Sequence, residues 1–225
     1  MATAKKKENT MEVPALEFEY MTINIVGDSP LIVHNWSHKA KEEMLGKQMR
    51  KASKGKEAKN PMRDFLDSLY WLDENGNLID PPSELDEATM ETPKEEIEKV
   101  MSKYRFGFKT VALKESAISG GYWQGLMPNK TVPRSAFHIL GEYFVVDGEL
   151  SMREDMVKIG GQTKVADIRY RPEFRNWRAT VTIKYSKNAI SREQIVSMLI
   201  CGGFAVGIGE WRIEKKGPFG TYHVE

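Results

Sequence analysis

Apolar and polar positions alternate most regularly near the start of the chain, where residues 16–26 read LEFEYMTINIV. This period-two pattern of β-branched and aromatic residues predicts a strand, with Leu16, Phe18 and Tyr20 on one of its faces. Other short apolar runs predict strands at 106–113, 137–146, 156–159, 167–170 and 178–185. We expect the last two to pair across a turn at Pro172–Asn176, because proline and asparagine favour turns.

Helical spacing of apolar residues occurs in the segments between these strands. It predicts helices from Ser37 to about Gly55, over 61–72, over 114–126 and after Ser191. The last helix has the clearest start, because Ser191 and Gln194 match a capping box. A short strand, a turn and a final strand are expected after it. Strands and helices mixed in this order predict an α+β fold.

Charge is sorted into blocks along the chain, although the net charge is only +1. Residues 37–63 carry nine Lys or Arg and three Asp or Glu, whereas residues 64–100 carry two and twelve. Residues 101–225 are basic again, with nineteen against twelve. Such sorting indicates at least one anionic partner and favours contact between copies whose acidic and basic segments meet.

The chain divides into a flexible tail over 1–14 and one domain over 15–225 that carries two insertions. The first insertion, at about 37–72, is basic and helical. The second, at about 73–100, is acidic and interrupted by prolines. We interpret the second insertion as a surface segment that ends in a short helix, PKEEIEKVM.

Composition excludes several classes of protein. The single cysteine, Cys201, excludes an internal disulfide framework and a cysteine zinc cluster. No apolar run approaches the length of a membrane span, and the basic start MATAKKKENT has no apolar stretch behind it. We therefore expect a cytoplasmic protein that does not contact membranes. The chain has neither a Walker loop nor a dinucleotide fingerprint, and we expect no cofactor.

Glycines cluster in the C-terminal stretch CGGFAVGIGEWRIEKKGPFGTYHVE. By local chemistry alone, the cluster fits a helix C-cap followed by a tight hairpin. The whole pattern also resembles the glycine-rich loop of the RAMP superfamily, the ferredoxin-like RNA-binding proteins of CRISPR complexes. The resemblance implies a βαββαβ core with this loop between the second helix and the last strand. It further implies that copies can stack side by side along a single strand.

Longer stretches of the chain resemble an uncharacterised group of phage and prophage proteins. These stretches are SPLIVHNWSHKAKEEM, RFGFKTVALKESA, DIRYRPEF and GFAVGIGEW. The resemblance implies a viral origin, and therefore the host cytoplasm, but supplies no chemistry.

Four arginines alternate with three aromatic residues in DIRYRPEFRNWR, residues 167–178. Arginine binds phosphate with two parallel hydrogen bonds, and flat aromatic faces stack bases. On a hairpin, Arg169 and Arg171 are expected on one face and Tyr170 on the other. A polar hairpin over an apolar core, with nearby carboxylates pairing the arginines, explains the same pattern and stays open.

Two other segments are candidates for nucleic-acid binding. YRFGFK, residues 104–109, partly resembles the RNP1 strand of RNA-recognition folds, although its aromatic residues also suit a core. The helix predicted from Ser37 to about Gly55 is rich in lysine. This lysine-rich helix either follows phosphates or is a solvated face. The expected contacts are Lys47, Arg50, Lys51, Lys54, Arg105, Phe106, Phe108, Arg169, Arg171, Arg175, Trp177, Arg178, Gly207, Gly209, Arg212, Lys215 and Lys216.

Signals for catalysis are weak. His34 and His38 are four residues apart, but no third ligand lies at a recognisable spacing, so no metal site is predicted. Some RAMP nucleases use a histidine as general base. His34, His138 and His223 are available for that role, although none lies in a motif that requires it.

We predict a non-catalytic, sequence-tolerant protein that binds single-stranded nucleic acid and forms homo-oligomers, including helical ones, along the strand. DNA is slightly favoured over RNA, with a role in phage replication or recombination. The alternative is a protein-interaction or assembly component, either an anti-defence decoy or an accessory virion protein. A metal-independent ribonuclease of the RAMP type is the third hypothesis.

Overall fold

The computed structural model describes residues 15–36, 41, 44–46, 48–50, 58–159 and 165–225. Its strands are β1 Phe18–Gly27, β2 Leu31–Ile32, β3 Trp71–Leu72, β4 Leu78–Ile79, β5 Arg105–Lys109, β6 Phe137–Ile139, β7 Tyr143–Val145, β8 Asp147–Ile159, β9 Val165–Ser186 and β10 Tyr222–Val224. Its helices are α1 Pro61–Asp67, α2 Lys94–Met101, α3 Thr110–Trp123, α4 Thr131–Ala136 and α5 Arg192–Ala205. Short 3₁₀ turns lie at Ser83–Leu85 and Ile213–Lys215.

Strand β9 is central in the larger of two antiparallel sheets. Strands β1 and β2 pair with it in succession along one edge, while β6 and β8 pair with it along the other. The outermost strand, β10, pairs with the free edge of β1. The smaller sheet has the order β4-β3-β5-β7. Antiparallel sheets with helices confirm the predicted α+β class.

The predicted hairpin across Pro172–Asn176 is wrong, because β9 runs through this segment without a turn. The carbonyl of Pro172 accepts a hydrogen bond from Val33 N at 3.0 Å, just beyond the end of β2. The missing N–H of the proline points to the same edge, so pairing with β8 loses nothing. Asn176 has φ +49° beside a register shift in β8, which marks a bulge. The hairpin instead joins β8 to β9.

Helix and strand boundaries differ from the prediction where tertiary pairing decides them. The helix expected over 61–72 ends at Asp67, because Trp71 and Leu72 pair with β5 as strand β3. Helix α3 begins at Thr110, directly after β5, four residues before the expected start. The capping box at the start of α5 is confirmed by the bond from Gln194 N to Ser191 Oγ, 3.2 Å.

The acidic segment is not wholly a surface insertion. Its short helix is confirmed as α2, but Leu85, Ala88 and Ile97 are buried in the core. The carboxylates of the segment remain exposed around these anchors. The segment is therefore amphipathic and attached to the domain.

Helices α3 and α5 cover one face of the larger sheet. They cross at Gly120 and Gly202, where a Cβ on either glycine would collide with the backbone of the other helix. The core between helices and sheet includes Met21, Ile23 and Val181. Among the described residues, no helix is both long and apolar enough to cross a membrane.

Candidate nucleic-acid interface

The face of the larger sheet that points away from α3 and α5 carries exposed aromatic side chains. In β1, Met21 and Ile23 are buried, each with 5% of its surface exposed, and they face the helices. Phe18 and Tyr20 point the other way and are 50% and 61% exposed. The alternation predicted from the sequence is confirmed, and the structure adds that its aromatic positions face solvent.

Register places basic side chains beside this aromatic pair. Tyr20 lies opposite Lys184 in β9, and Lys184 lies opposite His138 in β6. The Lys184 Nζ is 4.4 Å from the ring centroid of Phe18 and 5.8 Å from that of Tyr20. We call Phe18, Tyr20, Lys184 and His138 the aromatic–lysine face. Attraction between ammonium and ring holds the lysine over both aromatics.

The imidazole of His138 is kept neutral by its surroundings. Partial burial lowers its pKa, and the positive charges of Lys114 and Lys184 lower it further. The Lys114 ammonium lies 3.4 Å from His138 Nδ1, which accepts because an ammonium can only donate. A phosphate bound here would oppose this effect and favour the imidazolium.

The rest of this sheet face is polar and mostly uncharged. Outward positions next to the aromatic–lysine face in β1 and β9 hold Thr22, Asn24, Thr180 and Thr182. These described positions include no Asp or Glu. Carboxylates lie further along the face, where Glu225 is 4.0 Å from Arg178 and Asp147 pairs with Arg178 in register. The surface therefore offers rings and cations, while the carboxylates beside Phe18 in the chain, Glu17 and Glu19, pair with Lys187.

The arginines of residues 167–178 are extensively paired with carboxylates, which is the alternative that the sequence left open. Arg171 is buried and lies 3.6 Å from Asp155 and 3.7 Å from Glu210. Arg175 Nε donates to Glu173 at 2.6 Å. The network continues to β8, where Arg153 binds Asp155 at 2.7 Å and Glu173 at 2.8 Å. Much of this positive charge therefore pairs with carboxylates of the same chain.

Exposure separates the four arginines from one another. Arg169 is partly exposed and lies 3.4 Å from Asp167, while Arg171 is enclosed. The side chains of Arg175 and Arg178 are 63% and 68% exposed. The Arg178 pair is exposed on both sides and therefore weak, so Arg178 stays available to phosphate. Arg175 is bound on one side to Glu173, whose side chain is only 3% exposed.

Trp177 does not lie where a base could reach it. Its exposure is 0%, and its Nε1 donates to the carbonyl of Ser29 at 2.8 Å. The stacking role expected for Trp177 is therefore wrong in this structure. The bulge at Asn176 shifts the alternation and turns the indole into the core.

The RNP1-like strand is β5 of the smaller sheet. Phe108 is 7% exposed, and Phe106 is half-buried against Trp71, with ring centroids 5.0 Å apart. These two phenylalanines form part of the core rather than an open platform. Arg105 is exposed at the start of the strand.

The glycine-rich loop packs against its own chain. Gly207 and Gly209 have φ of +72° and +83°, which only glycine adopts readily. A Cβ on Gly209 would lie 2.5 Å from the carbonyl oxygen of Ile32. The close approach expected for these glycines is thus made to β2 and to the loop itself. Arg212 pairs with Glu214, whereas Lys215 and Lys216 are exposed.

A polar cleft of about 420 Å³ lies beside this loop, with His34, Tyr70 and Lys130 in its lining. His34 Nδ1 is 3.3 Å from Ser68 Oγ, and His34 Nε2 is 3.5 Å from Arg169 Nη1. Since a guanidinium only donates, Nε2 accepts and the proton lies on Nδ1. Burial lowers the pKa of His34, with Arg171 adding to the effect. The histidine is neutral and engaged at both nitrogens.

The lysine-rich helix is only partly described. Residues 41, 44–46 and 48 are helical, and Arg50 has φ +54° and is exposed. Lys47, Lys51 and Lys54 lie outside the described residues, as does His38. Among the described residues, no group of three or more His, Cys, Asp or Glu could hold a metal ion.

Comparison with known proteins gives little. No protein-family model matches the chain. No curated protein matches it either. Among solved structures, the chain is similar to the crystal structure of Cmr6 from Pyrococcus furiosus, with 10% sequence identity and a TM-score of 0.34 over 94% of this chain and 100% of that one. A likeness this distant carries no argument, and the RAMP and phage resemblances stay proposals.

The sequence reasoning missed the aromatic–lysine face. Its signal was present, since Phe18 and Tyr20 share one strand face and the aliphatic residues Met21 and Ile23 share the other. An antiparallel sheet commonly has one covered face and one solvated face, and here the helices cover the face of Met21 and Ile23. Lys184 and His138 have no signal of their own, because only register brings them to this face.

Proposed function

We propose that the protein is a non-catalytic module that binds single-stranded DNA or RNA with little sequence preference. The observation that carries the proposal is the aromatic–lysine face: two exposed rings on one strand, with a lysine over both. Proteins that bind single strands without reading sequence combine stacking rings with positive charge. The polar residues around this face do not restrict which bases the bound nucleic acid carries.

Spacing along β1 suits two successive bases. Residues two apart on a strand are separated by about 6.6–6.8 Å, and stacking on each ring contributes about 1–3 kcal/mol. Lys184 and His138 lie where they would meet the backbone between those bases. Arg178, further along the face, is the next cation on this path.

We further propose a ferredoxin-like core of the RAMP type. The order β1-α3-β6-β9-α5-β10 follows the βαββαβ pattern, and the sheet order β10-β1-β9-β6 with both helices on one face supports it. The viral origin, the cytoplasmic location and the slight preference for DNA belong to the same proposal. The lysine-rich helix and Arg105, Lys215 and Lys216 remain proposed secondary contacts.

The deciding experiment is fluorescence anisotropy with labelled 30-mers of single-stranded DNA, single-stranded RNA and duplex. We expect binding to the single strands, weakened at least tenfold in Phe18→Ala/Tyr20→Ala. The matched control is Phe204→Ala, which removes a ring that is 77% exposed on α5. Circular dichroism melting establishes that each variant is folded.

Retention of full affinity in the Phe18→Ala/Tyr20→Ala variant would exclude this face. No binding of the wild-type protein to any of the three polymers would exclude the function. Labelled RNA should stay intact throughout, whereas cleavage abolished by His34→Ala would establish the ribonuclease instead.

A further inference from the structure

The acidic segment forms a groove that combines an apolar floor with a negative rim. The groove has a volume of about 240 Å³ and lies between the 3₁₀ turn Ser83–Leu85 and α2. Its floor is formed by Leu85, Ala88, Ile97 and Val100. Three exposed carboxylates line it: Glu84, Glu87 and Glu96. Since a cavity of about 150 Å³ holds benzene, this groove has room for a large apolar side chain.

The lysine-rich helix presents the complementary features. Leu45 and Met49 are 55% and 58% exposed. The bond from Met49 N to Leu45 O, 2.9 Å, places them one helical turn apart on the same face. Met44, beside them, is 42% exposed. Lys41 is also exposed, and the surrounding block over 37–63 carries six more positive than negative charges.

We propose that the exposed pair Leu45 and Met49 of one copy docks in the acidic groove of a second copy. Leu45 and Met49 would enter the groove while lysines meet Glu84, Glu87 and Glu96. Charge complementarity selects this occupant, because block 64–100 carries twelve acidic and two basic residues against nine basic and three acidic in 37–63. An amphipathic helix in an apolar groove is a recurrent mode of recognition.

The interface joins two different surfaces, so each copy retains a free helix and a free groove. Such head-to-tail contacts build filaments when the rotation does not close a ring. The inference does not rest on nucleic-acid binding. It gives Leu45 and Met49 a partner in a neighbouring copy, whereas the sequence alone leaves the lysine-rich helix either following phosphates or as a solvated face.

Two blocked variants test the interface on protein freed of nucleic acid. Leu45→Glu/Met49→Glu blocks the helix, and Glu87→Arg/Glu96→Arg blocks the groove. Sedimentation velocity at low salt should show wild-type mass rising with concentration and each variant alone monomeric. An equimolar mixture of the two should give a dimer with twice the chain mass, because one supplies the groove and the other the helix.

The matched control is Glu74→Arg/Glu98→Arg, which makes the same change in net charge away from the groove lining. It should associate like the wild type. The proposal is overturned by a wild-type protein that stays monomeric at all concentrations, or by association that survives in either blocked variant. Monomeric variants that do not dimerise when mixed would also overturn it.

Discussion

His34 shows how a single half-buried residue links the fold to pH. Its imidazole accepts from Arg169 and lies beside Ser68 Oγ, whose hydroxyl is 2.7 Å from the carbonyl of Asp64. Each donor in this chain of hydrogen bonds has an acceptor only when the His34 ring is neutral. A second proton on His34 would face Arg169 directly and would have to displace it.

Acid should therefore destabilise the protein through His34. Burial and Arg171 lower its pKa in the folded state below the ordinary 6.5, so the unfolded chain binds the proton more tightly. The His34 contribution is fully present above pH 6.5 and is lost as the pH falls below that value. We expect the midpoint of thermal unfolding to fall from pH 7.5 to 5.5 and to fall less in His34→Gln.

His138→Gln is the matched comparison, because the pKa of His138 is also lowered but this ring is exposed. Its effect on the pH dependence should be the smaller of the two. An unchanged pH dependence in His34→Gln would show that the half-buried imidazole does not titrate with unfolding.

At the scale of elements, β9 shows what sequence could and could not predict. The strand content of 167–170 and 178–185 followed from β-branched and aromatic residues, and the capping box fixed the start of α5. Pro172 and Asn176 were misleading, because each fits a turn and also fits an irregular long strand. Whether the segment turns or stays extended depends on pairing with β2 and β8, which lie outside it, so its own residues could not decide it.

Asn176 should be replaceable by glycine but not by a β-branched residue. At φ +49° an ordinary side chain costs about 1–2 kcal/mol, which asparagine partly avoids and glycine avoids entirely. Both replacements lose the bond from Asn176 Nδ2 to Glu149, 2.9 Å, so that loss cancels in the comparison. We expect Asn176→Val to lower the free energy of unfolding by about 1–2 kcal/mol relative to Asn176→Gly. Urea denaturation measures this difference in the free energy of unfolding. Equal stabilities of the two variants would contradict the bulge at Asn176.

At the scale of the whole molecule, the distribution of charge was readable from sequence, but the location of the binding face was not. The blocks of opposite sign appear directly in the residue counts. The candidate face instead depends on which side of β1 the helices cover and on register that brings Lys184 from a strand about 160 residues away. The arginines of 167–178 were overestimated partly for the same reason, since Asp155 of β8 and Glu210 approach Arg171 only in the fold. The partners of Arg169 and Arg175, Asp167 and Glu173, lie in the segment itself.

Salt dependence separates charge from stacking on that face. Each phosphate neutralised on a single strand adds about 0.7 to the slope of log affinity against log salt concentration. Lys184→Met keeps the aliphatic stem and removes the charge, so its slope should fall by about 0.7, that is, by one phosphate. Phe18→Ala/Tyr20→Ala should weaken binding at every salt concentration with the slope unchanged.

Lys99→Met, on the acidic helix α2, is the matched control and should change neither the affinity nor the slope. A normal slope in Lys184→Met would show that Lys184 neutralises no phosphate, and the exposed Arg178 would be the next cation to remove.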